Sequence, residues 1–326
     1  MRGIRLALGS VALLSTAAFG SAHAYTITNI IDPLNQTFTQ ALGINDSSTI
    51  VGYGNASIFN GFELVLPPVS GNFTRQNVPG ADGGTQVIGI SGGGTTVGFS
   101  ITGGVTNGFV QNGGSFTTVD EPATMFNQLL GINKSGTVAA GYASASDPAG
   151  ATGQKAYTVS GGPSFASPVF TDINAKLPAN FNSQATGVND AGTVVGFYDY
   201  TGTGLFSAFE DIAGVVTSFQ AFGSTSTQAL GINNLGDIVG DYVDAGGVMH
   251  GFLDANGMFT TIDAPGATST TANGINDQNQ VVGFYTDAND NTIGFVTQVP
   301  EPASLLLVSA GLAAVGVTRR KRRPTP

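Results

Sequence analysis

From Tyr25 to about Thr297 the chain alternates apolar and polar positions in short runs divided by Gly, Asn, Asp and Pro, the pattern of strands joined by tight turns. The fifth copy is the clearest. Thr227–Asn233 alternates and predicts one strand, and Asn234-Leu235-Gly236 predicts a turn. Asp237–Tyr242 predicts a second strand, followed by a polar loop from Val243 to Gly247. His250–Leu253 and Phe259–Asp263 predict the third and fourth, the last stopped by Pro265. Second strands are also expected at Thr49–Tyr53, Thr95–Phe99, Thr137–Tyr142, Thr193–Tyr198 and Gln280–Tyr285. Third strands centre on Phe62, Phe109, Tyr157, Phe209 and Phe295, and fourth strands on Phe73, Phe116, Phe170, Phe219 and Phe259.

One phrase marks each copy: Gly43-Ile44-Asn45, Gly89-Ile90-Ser91, Gly131-Ile132-Asn133, Gly187-Val188-Asn189, Gly231-Ile232-Asn233 and Gly274-Ile275-Asn276. A period of about 44 residues with four short strands per copy predicts an all-β, six-bladed β-propeller of four-stranded antiparallel blades. The last period holds only three strands. The missing one is supplied by Tyr25–Pro33, which matches the fourth-strand phrase Phe259–Pro265 with its aromatic start and its Asp and Pro end. The last blade is therefore expected to be completed by the N-terminal strand, leaving no terminal sheet edge open. Gly inside these strands marks bulges or close backbone approach, as blades crowding an axis require. The Asn-Asp-x-Gly sequence at Asn189–Gly192 is a tight turn.

The two ends carry different information. Met1–Ala24 has Arg2 and Arg5, an apolar run from Leu6 to Phe19, and an A-x-A cleavage site at Ala22 and Ala24, and it reads as a signal peptide (residues 1–24). A permanent anchor is the alternative. Residues 299–326 carry Pro300, Glu301 and Pro302, an apolar stretch from Ala303 to Thr318, and the basic cluster Arg319, Arg320, Lys321, Arg322 and Arg323. The apolar stretch is somewhat short for a bilayer, and the basic cluster favours a C-terminal transmembrane helix with the tail inside. This order of parts resembles the PEP-CTERM sorting signal. The resemblance implies recognition of Pro300-Glu301-Pro302 by a membrane exosortase, cleavage, and release or transfer to the surface of bacteria that make exopolysaccharide. A plain C-terminal anchor is the alternative. Between the ends, residues 25–298 form the propeller. Their Gly-Ile-Asn and Val-Val-Gly phrases, with His250-Gly251-Phe252-Leu253, resemble the HAF-repeat family of exported bacterial proteins, with Gly251 where that family usually has Ala. The resemblance concerns fold and implies no activity.

Composition narrows the function. There are 48 Gly and 14 Pro in 326 residues and 41% hydrophobic residues, enough to build a core, and no cysteine, so no disulfide or thiolate chemistry. The net charge of −10 understates the acidity of the body, which keeps only Arg75, Lys134, Lys155 and Lys176 against 20 of the 21 acidic residues. Such a surface does not bind nucleic acid and is repelled by anionic lipid, so membrane contact is expected only through the C-terminal helix.

Candidate chemistry is sparse. His250 is the body's one histidine and is read as a packing or edge residue; Ser–His catalysis around it has no support, and a histidine zinc site needs more ligands. Asp46, Asp190 and Asp277 recur in turns, and Asp32, Asp120, Asp172 and Asp263 recur at fourth-strand ends, so they read as turn formers. Asp287–Asn291 and Asp241–Gly247 are oxygen-rich loops without the spacing or closing Glu of an EF-hand; calcium is the one cofactor they suggest, and solvated loops the alternative. The repeated Asn is either an amide ring or turn chemistry. The third period is long, with extra residues near Ser144–Gly153 and Gly161–Pro168, and a ligand is expected there or at the channel mouth. The reading is an exported, monomeric, non-catalytic surface or matrix protein that binds exopolysaccharide or another surface partner. The alternatives are a polysaccharide lyase or glycoside hydrolase, and a purely structural envelope protein.

Overall fold

A computed structural model describes residues 25–298 other than 56, 69, 123, 147–152 and 163. The signal peptide, the sorting signal and the C-terminal helix expected from sequence lie outside the described residues. Strand β1 is Thr26–Ile30. The first repeat follows as β2 (Thr39–Ile44), β3 (Thr49–Asn55), β4 (Phe59–Val65) and β5 (Phe73–Arg75). The second is β6 (Gly84–Ile90), β7 (Thr96–Thr102), β8 (Val105–Asn112) and β9 (Ser115–Thr118). The third is β10 (Phe126–Ile132), β11 (Val138–Ser144), β12 (Lys155–Ser160) and β13 (Val169–Asp172). The fourth is β14 (Asn182–Val188), β15 (Val194–Asp199), β16 (Phe206–Ile212) and β17 (Val215–Phe219). The fifth is β18 (Ser226–Ile232), β19 (Ile238–Val243), β20 (Met249–Ala255) and β21 (Met258–Ile262). The last has β22 (Ser269–Ile275), β23 (Val281–Thr286) and β24 (Thr292–Gln298).

Within each repeat the strands pair antiparallel in sequence order. Beside them the described residues hold only short 3-10 turns, so the body is all-β, and none of their helices is long and apolar enough to cross a membrane. The hydrogen-bonded sheets differ from the expected six equal units. The last three groups are separate four-stranded sheets, whereas the first three join into one twelve-stranded sheet. The joints are single parallel pairs, Phe59 with Gly84 and Phe126 with Thr106, where the third strand of one repeat touches the first strand of the next. Adjacent repeats come close enough there for one bridge to form.

Each repeat buries one aromatic ring from its third strand: Phe62, Phe109, Tyr157, Phe209, Phe252 or Phe295. The fourth-strand ring meets it edge-on, with centroids 5.2 Å apart for Phe62–Phe73, 5.3 Å for Phe109–Phe116 and 5.2 Å for Tyr157–Phe170. Such pairs add about 1 kcal/mol to the burial of the rings themselves. The buried ring also explains the glycine of the second strand. A Cβ on Gly52 would overlap the carbonyl oxygen of Gln40 and come within 2.9 Å of the Phe62 ring. The crowding comes from a bulge in the first strand, whose register slips between Ala41 and Gly43 and at the same place in every later repeat.

The last sheet takes its outer strand from the other end of the chain. β1 pairs antiparallel with β24, from Thr26 opposite Gln298 to Ile30 opposite Gly294. The first and last repeats also bond directly. Asn276 Nδ2 donates to the Asn45 carbonyl at 3.0 Å, and Asp277 N donates to Asp46 Oδ1 at 2.9 Å. Just beyond β1, Asp32 is buried and receives both guanidinium nitrogens of Arg75, at 2.6 and 2.5 Å. This fork ties the end of β1 to β5 of the first repeat. Removing its cation would leave an uncompensated buried carboxylate. Arg75→Met should therefore cost about 3 kcal/mol in urea unfolding, and Arg75→Met with Asp32→Asn should recover part of that loss.

Candidate functional site

The turns between first and second strands gather at one end of the axis. Each repeated Asn works twice there. Its Oδ1 accepts from its own turn, as Asn45 does from Ser47 N and Thr49 N at 3.0 Å each. Its Nδ2 reaches the next repeat, from Asn45 to the Ser91 carbonyl at 3.2 Å and from Asn189 to the Asn233 carbonyl at 3.2 Å. Asn233 reaches the Asn276 carbonyl in the same way, whereas Asn133 turns its amide to Ser135 and Thr137. The row of seam-crossing amides is therefore broken at Ser91 and Asn133, and where it runs the same residues also serve the turns, with donor and acceptor both engaged. A second tier lies outside it. Asp190, Asp277 and Asp46 accept the backbone N–H of Ser135, Asn234 and Asp277 respectively. Lys134, from the third repeat, reaches across this end to bond both Asp46 and Asp277. Its hydrogen bonds and charge pairs with the two carboxylates raise its pKa. The cavity left beneath is only about 60 Å³, room for water.

The opposite mouth is wider, about 240 Å³, and is lined by Gln40, Gln86, Gln128, Gln184 and Gln228. In register with these glutamines the second strands place Tyr53, Phe99, Tyr142 and Phe197, but opposite Gln228 the residue is Asp241. Asp241 is buried, and burial pushes its carboxyl up to about 7. Asp241 lies in the second strand, as expected, and it also opened one of the two oxygen-rich stretches; its burial at this mouth was not expected. The signal was there, because it is the one acidic residue in a column of aromatics following Val-Gly or Ala-Gly.

The long third repeat builds a groove of about 380 Å³ beside the end of β11, at the insertion where a ligand was expected. Glu121 and Thr124 line it from the loop before β10, Ser144 from β11, Lys155 and Tyr157 from β12, and Asp172 from β13. Tyr157 is only 3% exposed, and its hydroxyl has no hydrogen-bond partner among the described residues. Burial, then the nearby Asp120 and Glu121 charges, raise its pKa. An unsatisfied buried hydroxyl costs about 1–3 kcal/mol, and this one sits in the core behind the groove wall rather than on its surface. The second insertion serves packing instead: Phe165 within it is 1% exposed and joins the core of the third repeat.

The remaining candidates separate. His250 lies with Nδ1 2.8 Å from Asp263 Oδ2 and Nε2 3.3 Å from Asp244 Oδ2, stacked on Tyr242. Partial burial opposes its charge, but Asp263 and then Asp244 outweigh that and raise its pKa. Both ring nitrogens face carboxylates, so neither is left to take a proton from a serine. Asp120 accepts from Gly108 N and Asp172 from Ala175 N. In the two oxygen-rich loops the carboxylates close their own turns. Asp244 Oδ1 accepts from Gly246 N and Val248 N, and Asp287 Oδ1 from Asn289 N and Asn291 N. Among the described residues no group of three His, Cys, Asp or Glu is placed to hold a metal ion. Pro300, Glu301, Pro302, Arg319–Arg323, Ala22 and Ala24 lie outside the described residues.

Residues 298–323 match the family model of the PEP-CTERM protein-sorting motif. The chain matches no curated protein in sequence. In fold it is similar to TolB from Acinetobacter baumannii, with 9% identity and a TM-score of 0.51 over 78% of this chain and 64% of that one. It thus spans less than two thirds of that TolB chain. It is also similar to a gluconolactonase from Xanthomonas campestris, with 12% identity and a TM-score of 0.48 over 85% of this chain and 90% of that one. A third similarity is to the β-propeller domain of the Trilobed protease from Pyrococcus furiosus, which has an open velcro topology. It shares 8% identity and a TM-score of 0.47 over 81% of this chain and 93% of that domain. The body is propeller-like, and at these identities the likeness concerns fold alone.

The buried Asp241 carries a pH signature. Its folded pKa of about 7 lies above the unfolded value of about 3.9, so the fold favours the neutral acid. Its stabilising contribution is present below about pH 4 and is lost as pH rises through about 7. Asp241→Asn should therefore raise the melting temperature by several degrees at pH 8 and change it little at pH 4, measured by circular dichroism.

Proposed function

We propose that this chain is an exported, non-catalytic surface or matrix protein that binds exopolysaccharide in the groove of its third repeat. In this reading residues 1–24 are a signal peptide and an exosortase acts at Pro300-Glu301-Pro302, after a transient anchoring step in the inner membrane. The matched sorting motif supports that part. Residues 25–298 are a single six-bladed propeller of HAF-repeat type. The antiparallel grouping of the strands and the pairing of β1 with β24 support the blade count and the closure.

The observation that carries the binding reading is the groove of about 380 Å³ at the third-repeat insertion, with Glu121, Thr124, Asp172 and Lys155 in its wall. A sugar is a dense array of hydroxyls that both donate and accept, and these groups suit it. The enzyme alternative needs two unrepeated carboxylates of perturbed acidity in one cleft. Glu210 and Asp254 are each raised by burial, Glu210 further by the Asp254 charge, but neither lines any cavity described above.

In the test, the purified exported protein is incubated with the host's own polysaccharide, then pulled down and assayed for polymer chain length. Retention of the polymer with its length unchanged is expected. No retention refutes the binding reading, and shortened chains establish the enzyme. Lys155→Ala should weaken retention about tenfold while changing the stability of the free protein by no more than about 0.5 kcal/mol, because Lys155 is exposed in the groove wall.

A further inference from the structure

The third-repeat groove has a counterpart two repeats on. Phe126 at the start of β10 pairs with Ser144 at the end of β11, and Ser226 at the start of β18 pairs with Val243 at the end of β19. The loop before the first strand and the end of the second strand therefore occupy equivalent places in the two repeats. In the fifth repeat they enclose a cavity of about 370 Å³, lined among others by Phe222, Thr225, Tyr242 and Asp244.

Phe222 stands out in its backbone conformation and its exposure. Its backbone is left-handed, at φ 51° and ψ 20°, a conformation unfavourable for a bulky side chain. Phe165 adopts a similar φ of 48°, but its ring is buried, and that burial offsets the strain. Phe222 stays 52% exposed. Its ring leans on Tyr242 at a centroid distance of 4.9 Å and on Phe259 at 5.7 Å, and Tyr242 in turn stacks on His250 at 5.3 Å. Next to this exposed aromatic face lie the exposed Thr225 and the Asp244 carboxylate, whose Oδ2 is held 3.3 Å from His250 Nε2. Strain held in an exposed aromatic beside fixed hydrogen-bonding groups marks a ligand site rather than a core.

We infer that the fifth-repeat cavity is a second carbohydrate subsite, in which a neutral or amino sugar ring stacks on Phe222 and is held through its hydroxyls by Asp244 and Thr225. This rests on the carbohydrate reading of the third-repeat groove and extends it to two equivalent positions. A pyranose with equatorial hydroxyls offers a flat C–H face to the ring and hydroxyls at its edge. Asp244 and Asp263 outnumber the one cationic group between them, His250, as Glu121 and Asp172 outnumber Lys155 in the third repeat, so a polyuronate is disfavoured. Two subsites on one rigid body would let a repeating polymer bind by avidity.

The test uses the full exported protein with cellohexaose, chitohexaose and oligomannuronate as probes, read by saturation-transfer NMR and titration. Transfer to the ring C–H protons of cellohexaose or chitohexaose, but not of oligomannuronate, is expected. Phe222→Gly should abolish the transfer that belongs to this subsite and weaken binding at least tenfold, while the melting temperature holds or rises, since glycine accepts the left-handed backbone. A ring that served only the fold would give the opposite result, with lower stability and unchanged binding, and would overturn the inference. Binding that persists in Phe222→Gly but falls in Lys155→Ala would leave the third-repeat site standing and remove this one. Loss in Phe222→Gly with no effect of Lys155→Ala would do the reverse. No transfer from either neutral probe to the wild-type protein overturns the subsite, whatever the host polymer does in pull-down.

Discussion

The first strands of neighbouring repeats approach so closely that a methyl group has no room between them. A Cβ on Gly43 would stand 2.6 Å from the Ile88 carbonyl oxygen, one on Gly231 2.5 Å from that of Asn273, and one on Gly274 2.6 Å from that of Leu42. The last of these contacts joins the final repeat to the first. With the backbones in contact, the side chains of Ile44, Ile90, Ile132, Val188, Ile232 and Ile275 line what remains of the axis. Two rows of hydrogen bonds from the Asn and Asp turns cross the seams at one end. Every other feature, including the placing of the grooves, follows from how tightly these strands are drawn together.

Much of this was legible because the repeat supplies several independent readings of the same geometry. Third-strand aromatics recur at Phe62, Phe109, Phe209 and Phe295, and each is buried. The phrase shared by Tyr25–Pro33 and Phe259–Pro265 identified β1 as a fourth strand although it lies a whole body away from its partner. The single bridges joining the first three repeats were not legible. They depend on how closely Phe59 meets Gly84 and Phe126 meets Thr106, a matter of fractions of an ångström that residue identity does not encode.

Sites are legible in the opposite way, where the repeat fails. The insertions of the third repeat pointed to its groove. Asp241 and Lys134 also break their columns, yet each looked ordinary in sequence, one as a polar position near the end of a strand that runs into an oxygen-rich loop and the other as one of four scattered cations. Lys134 bonds Asp277 across 143 positions, a pairing that only the curvature of the repeat array creates. Phe222 was hidden for another reason: its identity is unremarkable, and only its backbone angle with its exposure sets it apart.

The borrowed strand has a consequence for the order of events. β1 leaves the ribosome before all the repeats, and β24, its hydrogen-bonding partner, after the other strands. In a chain that emerges from its amino end, Thr26–Ile30 must stay unpaired while every repeat between them assembles. Joining two segments so distant in sequence carries a large entropic penalty and is intrinsically slow. The partly built protein then exposes two unsatisfied strand edges, each able to capture the complementary edge of a sister molecule. Crowding during secretion would therefore favour strand exchange between chains over completion within one.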